Sequence, residues 1–205
     1  MVLDYDRIKA AEDYPGLMFE MYAALVKMEM RGLSEGRIAD SFRFFLEVFC
    51  QKASYQWKGR DIWEIFEEVT EVCGAFLGLS LPDTKEGSRI KHILFCIYRN
   101  IKSPELSLQY LAREVLFMNE DYFGRFFYRC TSERYSSFLV RIRMELAMRL
   151  MAFDPDIRIS ELAEQAGYPA DGQYFAKVFK KRTGMVPSEY KRTLTEGESR
   201  KFTDK

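Results

Sequence analysis

Apolar residues recur at three- and four-residue steps along most of the chain, a spacing that places them on one face of an α-helix. The pattern predicts helices over 17–31, 35–53, 61–79 and 88–101. No alternation of β-branched and polar residues, as strands show, accompanies it. The sequence therefore predicts an all-α fold, in which residues 1–98 form a helical bundle.

Short polar sequences indicate where these helices begin. Asp61 and Glu64 fit a capping box, in which each side chain accepts a hydrogen bond from a backbone amide near the first turn. Ser34 and Ser88 are expected to cap the helices that follow them.

The predicted helices of this bundle and their connections are rich in aromatic residues. Such stripes are what buried helix faces need, so they favour a helix-packing core with some surface kept for a partner, and a ligand pocket is the alternative. The aromatic positions are Phe42, Phe44, Phe45, Phe49, Trp57, Trp63, Phe66, Phe76, Phe95 and Tyr98.

The second half of the chain contains an internal duplication. Residues 106–138 align with residues 157–190, and the shift between the copies grows from 51 to 52 residues along the alignment. Each copy predicts a short helix, a tight turn and a second helix, a combination typical of a helix-turn-helix unit. The expected helices span 108–115 and 119–131 in the first copy, and 160–166 and 171–183 in the second.

The second helix of each copy has one aromatic face and one polar, basic face. Phe123 and Phe127, like Phe175 and Phe179, are four residues apart and should hold the helix against the preceding one. On the outer face, an arginine or lysine can reach guanine O6 and N7, and basic residues one turn further along can reach phosphates. The outer-face candidates are Gly124 with Arg125 and Ala176 with Lys177 for bases, and Arg129, Lys180 and Lys181 for phosphates.

Residues 136–153 predict one long amphipathic helix between the copies. Apolar residues from Phe138 to Leu150 recur every four positions, and the helix should end near Asp154 because Pro155 restricts the residue before it. A rod of about 24 Å can hold two reading helices about one DNA turn, ~34 Å, apart.

Residues 101–194 resemble the double helix-turn-helix DNA-binding domain of the AraC/XylS transcription regulators. The most specific stretch is GYPADGQYFAKVFKKRTGMVPSEYKR, residues 167–192, and residues 115–147 are similar to YesN-type response regulators in particular. In those regulators a receiver domain and a helical connector precede the DNA-binding domain. The resemblance implies that Asp121, Gly124 and Arg125, and then Gln173, Ala176 and Lys177, are base-reading positions.

This resemblance also implies a domain organisation. Residues 1–98 would be the connector or regulatory domain, and residues 99–194 the DNA-binding domain, followed by a polar tail over 195–205. Within the second domain, the first copy spans 106–135 and the second 157–192. No receiver-type cluster of acidic residues with a lysine is found in the chain.

Several positions depart from the family pattern. Leu116 replaces the turn glycine in the first copy, Ser132 stands where the second copy has Gly184, and Ala170 is an extra residue in the second turn. Asp121 is unusual at a DNA surface. It either accepts a hydrogen bond from cytosine N4 or caps the helix that begins near it, and capping is favoured.

Charge is unevenly distributed along a chain whose formal net charge is zero. Residues 1–98 hold 12 Lys and Arg against 16 Asp and Glu, a net charge of −4, whereas residues 101–194 hold 15 against 12, a net charge of +3. The basic second half is consistent with a polyanionic partner.

Other features of the sequence indicate a cytoplasmic protein with no cofactor. The N-terminus is acidic and lacks the apolar stretch of a signal peptide, and no apolar run approaches the ~20 residues of a membrane helix. The four cysteines are widely spaced among apolar residues, which predicts buried free thiols and no metal site. They are Cys50, Cys73, Cys96 and Cys130.

The sequence thus favours a transcription regulator that binds double-stranded DNA, with RNA polymerase and a homodimer through residues 1–98 as further candidate contacts. An enzyme is disfavoured because no catalytic constellation is visible and the only histidine, His92, lies on a predicted helix. The alternative is a helical adaptor that binds only protein, which the neutral net charge and the adjacent Glu120 and Asp121 favour slightly.

Overall fold

The computed structural model describes residues 2–170 and 172–194, so the tail expected over 195–205 lies outside the described residues. Within these ranges the fold is all-α and contains no strand. The chain divides into two compact units, Met1–Tyr98 and Arg99–Lys205. None of the described helices combines the length and the apolar character needed to cross a membrane.

The first unit is a helical bundle around a nearly fully buried helix. The bundle helices are α1 (Tyr5–Lys9), α2 (Tyr14–Met30), α3 (Glu35–Phe49), α4 (Ile62–Leu77) and α5 (Lys85–Asn100). Helix α2 is apolar on most of its faces and therefore lies at the centre. The ring of Tyr22 in α2 lies 5.2 Å from that of Tyr98 and 6.2 Å from that of Phe66, between centroids.

The aromatic stripes are core residues at most but not all of the predicted positions. Phe42, Phe45 and Phe66 are fully buried, which confirms the helix-packing interpretation for them. Phe44 and Phe76 are instead 62% and 46% exposed. Both are exposed because helix periodicity places them beside, rather than on, the buried stripe, although the ring of Phe76 still lies 5.8 Å from that of Phe49.

The helix starts were predicted with mixed success. Asp61 caps α4, since its Oδ1 accepts hydrogen bonds from the amides of Trp63 and Glu64, but Glu64 accepts from Arg60 rather than from Asp61, so only half of the capping box forms. Ser34 precedes α3 without a side-chain bond to it. The prediction for Ser88 was wrong: α5 begins at Lys85.

The prediction for the cysteines was right for three of them. Cys50, Cys73 and Cys96 are buried free thiols in the first unit. Cys130 is a free thiol too, but it is exposed, because it lies on the solvent side of the second helix of the first copy.

The second unit contains two short helices, each followed by a longer one, with a long helix between the copies. The elements of the second unit are α6 (Leu108–Tyr110), a π-helical turn that continues it (Leu111–Val115), α7 (Glu120–Thr131), α8 (Tyr135–Phe153), α9 (Ile159–Gln165) and α10 (Gln173–Thr183), after which residues 187–194 are also helical. Helix α8 has 19 residues, so it is about 28 Å long.

The aromatic anchors have nearly the same geometry in both copies. The rings of Phe123 and Phe127 are 5.9 Å apart at 52°, and those of Phe175 and Phe179 are 5.6 Å apart at 50°. The second ring of each pair then meets a ring on the next helix edge-on, Phe127 with Phe138 and Phe179 with Tyr190. The two copies found in the sequence therefore pack their aromatic side chains in the same way.

The ends of α7 and α10 repeat the same hydrogen bonds. Thr131 donates to the carbonyl of Phe127 at 2.8 Å, and Thr183 donates to that of Phe179 at 2.9 Å. The next residue, Ser132 or Gly184, ends the helix in the left-handed conformation. The serine thus performs the role of the glycine, as its alignment suggested.

The turn of the first copy differs from its sequence-based assignment. Leu116 keeps a right-handed conformation, and Phe117 instead takes the left-handed one, with φ of 50°. The amide of Leu116 donates to the carbonyl of Leu111, five residues back, which defines the π-turn. The π-turn accommodates the one residue by which the first short helix is longer than the second. The alignment of the two copies had not placed an extra residue in this helix.

Candidate nucleic-acid interface

The start of α7 is fixed by an asparagine rather than by Asp121. The Oδ1 of Asn119 accepts hydrogen bonds from the amides of Asp121 at 3.0 Å and Tyr122 at 3.1 Å. The favoured interpretation of Asp121 as the helix cap was therefore wrong. With the cap supplied by Asn119, the carboxylate of Asp121 is left exposed on the outer face of the helix.

An open groove of about 880 Å³ runs along this outer face. Four of the predicted DNA contacts of the first copy, Asp121, Gly124, Arg125 and Arg129, line it together. The remaining lining residues are Leu108, Glu120, Tyr128, Arg134, Tyr135 and Ser136.

The charges around this groove are mostly basic. Arg125, Arg129 and Arg134 contribute three positive charges against Asp121, and the further carboxylate of Glu120 is paired with Arg113 outside the groove. The guanidinium of Arg129 lies 5.4 Å above the ring of Phe126, which supports its position on the helix surface. The groove therefore offers a mostly basic surface, in which Asp121 is the acidic residue besides the ion-paired Glu120.

The floor of the groove includes Tyr135, which belongs to an aromatic cluster. Tyr135, the first residue of α8, is buried, and its ring lies 5.4 Å from that of Phe123 and 5.6 Å from that of Phe127. Burial raises the pKa of Tyr135 far above its usual value, so the phenol stays neutral at physiological pH. The floor therefore contributes shape rather than charge.

The second copy presents its predicted contacts to solvent as well. Gln173, Lys177, Lys180 and Lys181 are exposed on α10, and Ala176 is half-buried between them. Lysines 180 and 181 lie in the last turn, where the partial negative charge of the helix C-terminus favours cations.

Six of the ten groove residues were not among the predicted contacts, and Arg134 and Ser136 are two of them. Arg134 lies in the connection between α7 and α8, and Ser136 lies in the first turn of α8. Arg134 aligns with Val186 of the second copy, so the comparison of the copies gave no signal for it. Its position immediately after the exposed helix was the only available indication.

In each copy the exposed helix is packed through its own pair of phenylalanines against the rest of the unit. This arrangement defines a helix-turn-helix domain of the DNA-binding class. A protein-family profile described as "Helix-turn-helix domain" matches residues 111–193. The Bacillus subtilis (strain 168) "Uncharacterized transcriptional regulatory protein YesN" is 35% identical over 133 residues, 65% of this chain and 34% of that protein. The chain thus spans about a third of the length of this curated relative.

Two solved structures are similar to about half of this chain. One is the C-terminal domain of the two-component response regulator yesN from Fusobacterium nucleatum subsp. nucleatum ATCC 25586, with 25% identity, 51% of this chain and 98% of that chain covered, and a TM-score of 0.47. The other is the C-terminal domain of AraT, a response regulator from Geobacillus stearothermophilus, with 27% identity, coverage of 54% and 88%, and a TM-score of 0.48.

Residues 111–193 therefore form a helix-turn-helix domain of the AraC type, similar to that of a YesN transcriptional regulatory protein. Domains of this type bind DNA in transcription regulators.

Proposed function

We propose that this chain is a sequence-specific transcription regulator of the cytoplasm that reads two adjacent major-groove segments of DNA, one with α7 and one with α10. The observation that carries the proposal is the groove along α7, which the four predicted contacts of the first copy line as one exposed, mostly basic surface. An α-helix fits the major groove, where base edges present distinct hydrogen-bonding patterns.

The glycine in the groove supports a close approach of DNA to α7. A Cβ added at Gly124 would lie 3.5 Å from the nearest atom, Cδ1 of Leu108, which is ordinary contact. Alanine would therefore fit, and it would stabilise an isolated helix by about 0.5–1 kcal/mol relative to glycine. Packing within the protein does not require glycine here, whereas a base edge brought close to the helix would.

The reading roles follow from position along each helix. Arg125 and Lys177, near the middle of α7 and α10, have the reach and the donors to contact guanine O6 and N7. The basic residues one turn later, Arg129, Lys180 and Lys181, would contact phosphates and set the register. Helix α8, at about 28 Å, has a length close to the ~34 Å of one DNA turn that separates successive major-groove segments.

Residues 1–98 would supply the protein contact of the regulator, and we propose a second copy of the chain as the partner. Phe44 and Val48 are four residues apart on α3 and are 62% and 55% exposed, so they form one apolar strip on the surface. RNA polymerase is the alternative partner. Sedimentation of the full chain with Phe44→Ser separates the two, since only a dimer contact would change the oligomeric state.

Selection of binders from a pool of random DNA duplexes tests the DNA-binding proposal directly. Two reading helices should recover a motif with two segments about 10 base pairs apart, and binding should weaken steeply with salt because phosphate contacts release counterions. No enrichment and no gel shift at low salt would instead support the protein-only adaptor.

A further inference from the structure

A buried arginine in α8 joins three segments of the second unit. Arg143 is 6% exposed, and its guanidinium donates to the carbonyl of Ile101 from Nε at 3.2 Å and from Nη2 at 3.0 Å, and to the carbonyl of Ser103 from Nη2 at 2.6 Å. Its Cζ also lies 5.4 Å from the ring centre of Tyr168, in the turn of the second copy. The entry segment 101–103, the linker helix and that turn therefore meet at one side chain.

The turn of the second copy is shaped to admit this guanidinium. Gly167 has φ of 73°, and a Cβ at this position would lie 2.1 Å from the carbonyl oxygen of Ile101 and 2.6 Å from Nη2 of Arg143. No side chain fits there without moving the backbone, so glycine is required both by conformation and by the close approach. The turn and the arginine are thus packed as one arrangement.

Tyr168 connects Arg143 to α10, the exposed helix of the second copy. It is 4% exposed, and its ring lies 5.9 Å from that of Tyr174 and 5.6 Å from that of Phe175, both in the first turn of α10. A continuous chain of contacts therefore runs from the carbonyls of 101–103 through Arg143 and Tyr168 to α10.

The first copy has no equivalent arrangement at its turn. Phe117 holds the position of Gly167 in the first copy, and its side chain is 87% exposed. Near the first copy, Arg141 of α8 instead binds Glu133 at 2.8 Å and lies 5.1 Å from the ring of Phe138. Helix α8 therefore contacts the first copy through Arg141 and the second copy through Arg143. Of these two arginines, only Arg143 contacts the turn between the two helices of its copy.

We propose that Arg143 is a positioning residue that sets the orientation of α10, and hence of Lys177, by clamping the turn at Gly167 and Tyr168 to the entry segment 101–103. Recognition residues require such support because a small rotation of their helix moves their reach off the base edge. A lysine cannot replace the arginine, because it lacks the planar fork that donates to two carbonyls while stacking on a ring. The DNA part of this inference rests on the proposed function.

Amide hydrogen exchange of the full-length Arg143→Lys variant, without DNA, tests the clamp by itself. We expect residues 168–183 to exchange about tenfold faster or more, with residues 119–131 unchanged. Arg141→Lys, the same substitution on the same helix, should leave 168–183 as in the wild type. Equal acceleration in both copies would show that Arg143 only stabilises the unit, and no acceleration would show that it clamps nothing; either result overturns the proposal.

A milder variant serves if Arg143→Lys does not fold. Tyr168→Leu keeps the bonds from Arg143 to the carbonyls and removes only the ring between Arg143 and α10, so faster exchange should be confined to the second copy. Unchanged exchange in 172–183 would overturn the proposal.

Hydroxyl-radical footprinting on a selected duplex gives the functional readout. Arg143→Lys should lose protection over the segment read by α10 and keep it over the segment read by α7; loss of both segments in parallel would contradict a positioning role. If the wild-type chain protects no DNA, the proposed function fails, while the exchange pattern still decides whether the clamp exists.

Discussion

Phe117 and Gly167 take the same left-handed backbone conformation in the turns of the two copies, with φ angles of 50° and 73°. In the first copy, the amide of Met118 reaches back to the carbonyl of Ala112 at 2.8 Å, and in the second, the amide of Tyr168 reaches back to that of Ala163 at 2.8 Å. The two turns thus share a left-handed residue followed by a bond back to the short helix, but this bond spans six residues in the first copy and five in the second. A bulky residue adopts the conformation that favours glycine only in the first copy.

Phe117→Gly should raise the free energy of unfolding by about 1 kcal/mol, because it relieves a left-handed conformation that costs a residue with a Cβ roughly 1–2 kcal/mol. The exposed ring loses little burial when it is removed. Urea denaturation of the full chain measures the change. Gly167→Ala is the matched control and should destabilise by about 2 kcal/mol or more; a destabilising Phe117→Gly would contradict the assignment of this turn.

Asn119→Ala should lower the free energy of unfolding by about 1 kcal/mol, because the amides of Asp121 and Tyr122 lose the acceptor that caps α7. Thermal unfolding measures this loss. Ser34→Ala removes a residue at the same helix position that makes no capping bond, so its effect should stay below about 0.5 kcal/mol. Equal effects of the two substitutions would show that the cap bond of Asn119 contributes nothing.

Arg125→Ala and Lys177→Ala should each weaken binding to the selected DNA by roughly 1–3 kcal/mol and relax base preference in one segment of the motif. Lys181→Ala, a basic residue assigned to phosphate, should weaken all sequences about equally and lower the salt slope by about 1. Competition binding to a panel of single-base variants measures both effects. An unchanged motif for Arg125→Ala would show that α7 is not the reading helix of the first copy.

Asp121→Asn distinguishes two roles for the carboxylate in the groove. If Asp121 accepts a hydrogen bond from cytosine N4, the variant should lose preference at one base position. If it does not, removing a negative charge from a DNA surface should tighten binding to every sequence and leave the motif unchanged. Because the structure excludes the capping role, the variant should fold as the wild type does, within about 0.5 kcal/mol.

Glu68→Gln should destabilise the first unit at neutral pH and have no effect in acid. Glu68 accepts hydrogen bonds from the hydroxyl of Tyr55 at 2.7 Å and from the amides of Lys58 at 3.0 Å and Gly59 at 3.2 Å. Burial acts to raise its pKa, but these hydrogen bonds lower it below the usual value. A loss of about 1–2 kcal/mol is expected at pH 7.

The sign of the pH dependence follows from that lowered pKa. Because the folded-state value lies below the unfolded one, the stabilisation by Glu68 is fully present above pH 4.5 and disappears as pH falls through the folded-state pKa. Denaturation of both proteins between pH 3 and pH 7 measures the difference. A difference that persists at the acid end would show that the side chain acts by packing rather than by charge.

Local signals in the sequence predicted those features that depend on residues close together in the chain. The apolar period is set by which residues occur three and four positions apart, so it predicted the four longer helices of the first unit and the long helix α8, but not the short α1. The repeat gave the aromatic pairs of α7 and α10, since Phe123 and Phe127 pack as Phe175 and Phe179 do. The four predicted DNA contacts of the first copy also line one groove, while their role as contacts stays a prediction.

The failures share a physical cause. Asn119 and Asp121 are both good capping residues, and only the position at which the helix begins decides between them. The choice of Leu116 for the turn failed similarly, because the extra residue could be accommodated either in the helix as a π-turn or in the turn itself. The exposed Phe44 and Cys130 show that apolar character alone does not decide which residues of a helix are buried.

By itself, the sequence determined the all-α class, the duplicated helix-turn-helix and the basic residues along its outer helices, because these depend on periodicity and on residue type. Only the tertiary structure decided where the first turn lies, that Asp121 faces the groove, and that Arg143 is buried against Tyr168 and carbonyls some 40 residues away. From sequence alone an arginine is expected at the surface, and it becomes a buried structural contact only where folding brings carbonyls and an aromatic ring to its guanidinium.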